Sequence, residues 1–199
     1  MHLIHRGIVN KQYKENLQKS FSQSFKKGYG IETDIHATKD HEFICFHDFT
    51  LNRIFKKKIS VKNIEYSQIK KISTQNKKPI PLLKDLLRAS KNKYPLFIEI
   101  KPSLSKKLLQ KLLKETSKFS KCVFISFKHK NIYNLLKIKN NTKVGLSFSS
   151  TASVKTIIKR NVKIFKMCIY FFQTWKYLQF VKNKKQYKSR IVFCPSYKC

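Results

Sequence analysis

The sequence predicts an α/β fold built on a parallel sheet with helical crossovers, either a (β/α) barrel or a doubly wound sheet. Three observations carry this. Apolar runs of strand length alternate with helix-period segments along the chain. No glycine-rich dinucleotide fingerprint or Walker loop follows any strand, and only 4 glycines are present to build one. Polar residues gather at the C-terminal ends of the strand-like runs, at His5, Asp34, His47 and Lys101. That end carries the chemistry in a (β/α) barrel. The 199 residues, 41% of them apolar, support one domain over residues 1–199 with a sizeable core.

Leu3-Ile4-His5 reads as a short strand ending at Gly7. Tyr13, Leu17, Phe21 and Phe25 recur every four residues, the apolar face of a helix that Gly28 is placed to end. Ile31 to Ile35 alternates as a strand, and Phe43 to Phe46 is a second after the turn at Lys39-Asp40-His41. Residues 54–81 are lysine-rich and irregular, with a short helix near 63–70 and prolines at 79 and 81. Leu82, Leu83, Leu86 and Leu87 mark a helix, and Leu96–Ile100 a buried strand. Ser105 is placed to cap a helix carrying Leu108, Leu109, Leu112 and Leu113. Strand 123–127, helix 132–138 and strand 144–148 follow. Val154, Ile157 and Ile158 point to a further helix; segments 164–172, 175–181 and 190–194 complete the alternation.

The formal net charge is +34, from 44 Lys and Arg against 10 Asp and Glu. It fits an anionic partner: a phosphate ester, a nucleic acid or an acidic membrane surface. It also fits compositional bias, because the lysines spread over the whole length without a compact block. The five cysteines, Cys45, Cys122, Cys168, Cys194 and Cys199, show no zinc-type spacing. They read as free thiols in a reducing compartment, so a soluble, cytoplasmic protein is expected. The N-terminus is too short and polar for a signal peptide, and the longest apolar run, Met167 to Phe172, is too short for a transmembrane segment.

In so basic a chain the carboxylates stand out. Glu32 and Asp34 lie two apart on a strand and therefore share a face. Glu99 and Lys101 share a face of another strand, opposite Leu96, Ile98 and Ile100. Carboxylates turned into a sheet interior need a cation or a basic partner. Hard oxygen donors suit Mg²⁺ or Ca²⁺; internal ion pairs with lysines are the plainer alternative. His5 and His47 each end an apolar strand, where an imidazole can take or give a proton near neutral pH. His36 can face the same site but ranks below that pair, and His2, His41 and His129 lack such a setting. Arg6 and Arg53 suit bidentate phosphate contact, although Arg53 reads equally as a surface loop residue.

These residues occur in an order that resembles the glycerophosphodiester phosphodiesterase family. The motifs are His5-Arg6-Gly7, Glu15-Asn16, Gly30-Ile31-Glu32-Thr33-Asp34, Thr38-Lys39-Asp40, His47-Asp48 and Arg53. Ile80-Pro81-Leu82-Leu83, Phe97-Ile98-Glu99-Ile100-Lys101, Val123–Phe127 and Val144-Gly145-Leu146 continue the likeness to about residue 148. The resemblance implies a distorted TIM-type (β/α) barrel that hydrolyses glycerophosphodiesters. It assigns metal ligation to Glu32, Asp34 and Glu99, acid and base roles to His5 and His47, and phosphate contact to Arg6 and Lys101. The implied cofactor is a divalent cation, Mg²⁺ or Ca²⁺. The implied partner is a small glycerophosphodiester, with no specific nucleic acid; the lysines of segment 54–81 themselves would suit an anionic lipid surface as a further partner.

The pattern departs in places. Lys14 stands where the family has proline, and His41 where it has a turn glycine. Beyond about residue 150 the likeness fades. The family's closing strand is not matched, so a barrel short of its closing strand and helix is expected. It would be closed by other means, completed by a partner, or truncated and inactive. Two rival functions follow. One is a lysophospholipid or sphingolipid phosphodiesterase. The other is a non-catalytic barrel binding nucleic acid through its basic surface.

Overall fold

A computed structural model describes residues 2–149, 159–160 and 189–194. The helices expected near 154–158 and 175–181, the strand at 164–172, Cys168 and Cys199 lie outside the described residues. The chain divides into two compact units, Met1–Cys122 and Val123–Cys199.

The first unit is centred on β2 (Gly30–Ala37), every residue of which is buried. β1 (Leu3–His5) and β4 (Leu96–Ile100) flank it in parallel, with His5 opposite Glu32 and Asp34 opposite Glu99. β3 (Phe43–Cys45) runs antiparallel to the end of β2, pairing Ile35 with Cys45 and Ala37 with Phe43. The five residues between the two strands are too few for a parallel crossover, so the chain must reverse. Glu32, Asp34 and His36 alternate with Ile31, Thr33 and Ile35 along β2, and those three are wholly buried.

α1 (Gln18–Lys26) buries Phe21 and Phe25 one turn apart and stops where Gly28 takes φ of 76°. It is shorter than the period of four implies, because Tyr13 and Leu17 precede it in a loop pinned by Asn10 Oδ1, which accepts from the backbone of Gln12 and Tyr13. α4 (Leu83–Ser90) starts where Asp85 accepts from the backbone N–H of Leu82 at 3.3 Å. α5 (Lys106–Glu115) is capped by Ser105, whose hydroxyl accepts from Leu108 N at 3.3 Å, as expected. Leu86 is completely buried, and Leu86→Ala is expected to lower stability by about 2–5 kcal/mol in chemical denaturation.

The lysine-rich segment is more ordered than its composition implies. It holds α2 (Asn52–Phe55), a 3₁₀ turn at Val61–Asn63 and α3 (Tyr66–Gln75), which runs five residues past the expected end at Lys70. Neither glycine nor proline interrupts it before Pro79. Phe46, Leu51, Phe55, Val61, Ile64, Ile69 and Ile80 pack with Ile44 and Leu82 into a satellite core. The apolar residues that looked scattered are its interior.

Glu42, just ahead of β3, receives Lys84 and Lys111, each at 3.0 Å. Burial raises its pKa, but the two ammonium groups outweigh burial and hold it below the ordinary 4.5. A carboxylate with a depressed folded pKa contributes stability above its unfolded pKa and loses it as pH falls through the folded one. Glu42→Gln is therefore expected to cost up to about 1 kcal/mol at neutral pH. The difference from wild type should shrink below about pH 4.5, followed by thermal melting across pH.

In the second unit, β5 (Cys122–Ser126) pairs in parallel with β6 (Val144–Ser149) through Phe124, Ile125 and Ser126. α6 (His129–Ile138) connects them, three residues longer at its start than expected. β7 (Ser189–Cys194) lies antiparallel to β6, with Gly145 opposite Phe193. This departs from an all-parallel sheet. An alternating strand pattern reads the same in both directions, so the sequence carried no sign of the reversal.

Candidate active site

The site lies in the first unit, with His5 ending β1, Glu99 next to the end of β4, and Glu32 and Asp34 within β2 between them. The chain leaves β1 through Arg6 and Gly7, both left-handed, with φ of 56° and 77°. Arg6 N donates to Glu32 O at 2.7 Å, and Asn16 N donates to Arg6 O at 2.9 Å. These bonds hold an arginine where glycine would be the easy choice. A Cβ on Gly7 would come within 2.9 Å of the Ser20 backbone. Gly7→Ala combines that clash with a left-handed φ and should cost more than about 1 kcal/mol, read from thermal melting.

Glu32, Asp34 and Glu99 offer one oxygen each, all within 4.8 Å of one another. Glu32 Oε2 and Asp34 Oδ1 are buried and accept no hydrogen bond. Burial above all, then the Asp34 and Glu99 charges, push the Glu32 carboxyl well above its ordinary range. Burial likewise raises Glu99, against the pull of Lys101. Buried carboxyl groups of this kind, with an oxygen each of Glu32 and Asp34 accepting no hydrogen bond, fit a divalent ion of oxygen preference.

Two fixed cations share the cluster. Arg6 Nε stands 2.9 Å from Asp34 Oδ2 as an ion pair without hydrogen-bond alignment, and its Nη1 donates to Glu15 at 3.0 Å. Lys101 Nζ lies 2.9 Å from Glu99 and 3.4 Å from Asp34. Burial works against its charge, but the two carboxylates outweigh burial and raise its pKa. Three carboxylates against Arg6 and Lys101 leave one negative charge.

His5 Nε2 is 3.6 Å from Glu32 Oε2. Burial, followed by the Arg6 charge, lowers the His5 pKa to about 4. His47 Nδ1 is 2.7 Å from Asp48 Oδ1. A carboxylate only accepts, so Nδ1 carries the hydrogen and Nε2 is the nitrogen left to exchange protons. Contacts join His5, Arg6, Glu32, Asp34, Glu99 and Lys101, while His47 is linked to them through Asp48, Arg53 and Glu15, which pairs with Arg6.

Some residues of the site went unassigned in the sequence. Asn16 donates to Asp34 Oδ2 at 3.2 Å and accepts from the Thr33 hydroxyl at 2.8 Å, which fixes how Asp34 points. Its only signal was its place in the Glu15-Asn16 pair. Arg53 is no plain loop residue: its Nε donates to Asp48 at 2.5 Å and its Nη2 to Glu15. His36 faces the site, with Nε2 at 3.2 Å from the His47 carbonyl and burial lowering its pKa to about 4.

The family described as the glycerophosphoryl diester phosphodiesterase family matches residues 5–196. A glycerophosphodiester phosphodiesterase of Caldanaerobacter subterraneus is 29% identical over 161 residues. That match covers 73% of this chain and 65% of the relative, so the chain spans just under two thirds of that relative's length. A crystal structure of a glycerophosphodiester phosphodiesterase from Thermotoga maritima superposes with a TM-score of 0.68 at 23% identity, covering 82% of this chain and 69% of the other. A phosphodiesterase of Oleispira antarctica, solved with the product sn-glycerol-3-phosphate, gives 0.68 at 18% identity, covering 79% and 70%. These likenesses carry the fold class: the α/β, TIM-type barrel class of these phosphodiesterases. No helix among the described residues is long and apolar enough to cross a membrane.

Proposed function

The chain belongs to the glycerophosphoryl diester phosphodiesterase family, and on that premise we propose that it hydrolyses glycerophosphodiesters to an alcohol and glycerol 3-phosphate. The observation that carries the reading is the convergence of Glu32, Asp34 and Glu99 from β2 and β4 beside His5. Those three carboxylates would hold a divalent cation, Mg²⁺ or Ca²⁺, which when bound stabilises charge on the phosphoryl oxygens.

The chain's own residues do the rest. One of His5 and His47 takes the proton from a glycerol hydroxyl, whose oxygen bonds to phosphorus. The bond from phosphorus to the alcohol oxygen breaks, and the other imidazole protonates that oxygen. Water then opens the cyclic phosphate with the proton roles reversed, giving glycerol 3-phosphate. Arg6 and Lys101 present positive charge to the phosphate. Asp48 orients His47, and Arg53 and Glu15 hold Asp48 in place.

The test is release of glycerol 3-phosphate from glycerophosphocholine by the purified chain with divalent cation present. No release under either cation overturns the proposal. A lysophospholipid is the second reading. It is favoured by a cavity of about 200 Å³ beside His47, walled by Val9, Leu17, Phe46, Ile54 and Phe55. Cys45 is a buried free thiol, pushed up to about 12 by burial, and Cys122 is buried as well. Inert thiols of this kind suit a cytoplasmic setting.

A further inference from the structure

We infer that the rim beside the site, residues 8–14 and 49–62, is a docking surface for an anionic lipid bilayer. The second part of the rim is a ribbon: Leu51 N donates to Ile59 O and Val61 N to Phe49 O, each at 3.0 Å. Leu51 and Val61 go into the satellite core. Phe49 and Ile59 stay 54% and 38% exposed, and Val9 on the other loop is 55% exposed. The two loops meet through Arg53 and Glu15, and Val9 shares a cavity wall with His47 and Arg53.

Single exposed apolar residues are ordinary. Here three of the five large ones among the described residues fall on this rim. Between them stand Lys11, Lys14, Lys56, Lys57, Lys58 and Lys62, all exposed. Segments 8–14 and 49–64 contain no carboxylate at all. Of the bordering carboxylates, Glu15 and Asp48 are already engaged by Arg6, Arg53 and His47, and Glu65 stands at the N-terminus of α3. Apolar tips set among unneutralised lysines match a bilayer interface, where side chains enter the acyl boundary and ammonium groups meet anionic headgroups. A nucleic acid would ask for stacking faces, and two of the three tips, Val9 and Ile59, are aliphatic. The surface stands on this geometry alone. Only its use, presenting a lipid-borne diester to His5 and His47, rests on the proposed reaction.

The experiment is co-sedimentation of the full chain with vesicles of phosphatidylcholine alone and of phosphatidylcholine with phosphatidylserine. Binding is expected only to the second. A Lys56→Gln, Lys57→Gln, Lys58→Gln triple variant should weaken it on the order of 100-fold. Phe49→Ser with Ile59→Ser, its folding checked by thermal melting, should weaken it about tenfold. Lys106→Gln, Lys107→Gln, Lys114→Gln on α5 removes the same charge outside the rim and should change binding less than about twofold. Equal losses from both lysine triples overturn the inference. So does wild-type binding by the Phe49 and Ile59 variant, or tighter rim-dependent binding of single-stranded RNA than of vesicles. Hydrolysis of soluble glycerophosphocholine by the Lys56–Lys58 variant should equal that of wild type. A protein that hydrolyses this diester but ignores vesicles loses the inference and keeps the reaction; one that binds vesicles without hydrolysis does the reverse.

Discussion

Glu32→Gln is expected to lower diester hydrolysis more than about 100-fold, and a chelator should do the same to the wild-type chain. Glu32 is the member of the carboxylate cluster whose ionised form is least favoured, with an oxygen that accepts no hydrogen bond. Such a group gains most from an added cation. Gln keeps the shape but supplies a neutral donor, so cation affinity falls with activity. The two losses separate in one experiment. Excess Mg²⁺ or Ca²⁺ should restore the chelated wild type fully and the variant only in part. Full activity under chelation would leave the cluster as a set of internal ion pairs with Arg6 and Lys101.

His5→Ala and His47→Ala should each lower kcat by about 10² to 10⁴. The two should differ in their dependence on neighbours. Asp48→Asn is expected to reproduce part of the His47 loss, because it removes the carboxylate that fixes the Nδ1 hydrogen at 2.7 Å. It should leave the role of His5, which stands against Glu32, unchanged. A leaving group of low pKa needs no protonation. A nitrophenyl diester should therefore rescue whichever variant lacks the acid, and so tell which imidazole gives the proton and which takes it. Near-wild-type turnover in both alanine variants would remove the acid and base assignment altogether.

Much of this site was legible in the chain because a strand has a period of two. Glu32 with Asp34, and Glu99 with Lys101, fall on common faces from spacing alone, and the register of β2 against β4 sets Asp34 opposite Glu99. The strand cores at 3–5, 31–35 and 96–100 were likewise plain from their apolar runs. Less legible was what depends on tertiary contact. Asn16 reaches Asp34 across 18 residues and Arg53 reaches Glu15 across 38, and no local periodicity encodes either. The satellite core of 46–82 was obscured by its lysines, which face solvent while Ile64, Ile69 and Ile80 face inward. The antiparallel course of β7 was hidden for a different reason, since alternation carries no sense of direction.

That satellite core also insulates the sheet from its own surface. The segment supplies its own apolar filling and leans on the sheet through Ile44 and Leu82. Its outward residues can therefore drift without unseating β2 or β4, where the carboxylates are fixed. Substitutions on its outer face would therefore alter the surface beside the carboxylate cluster while leaving the strands that hold the cluster in place.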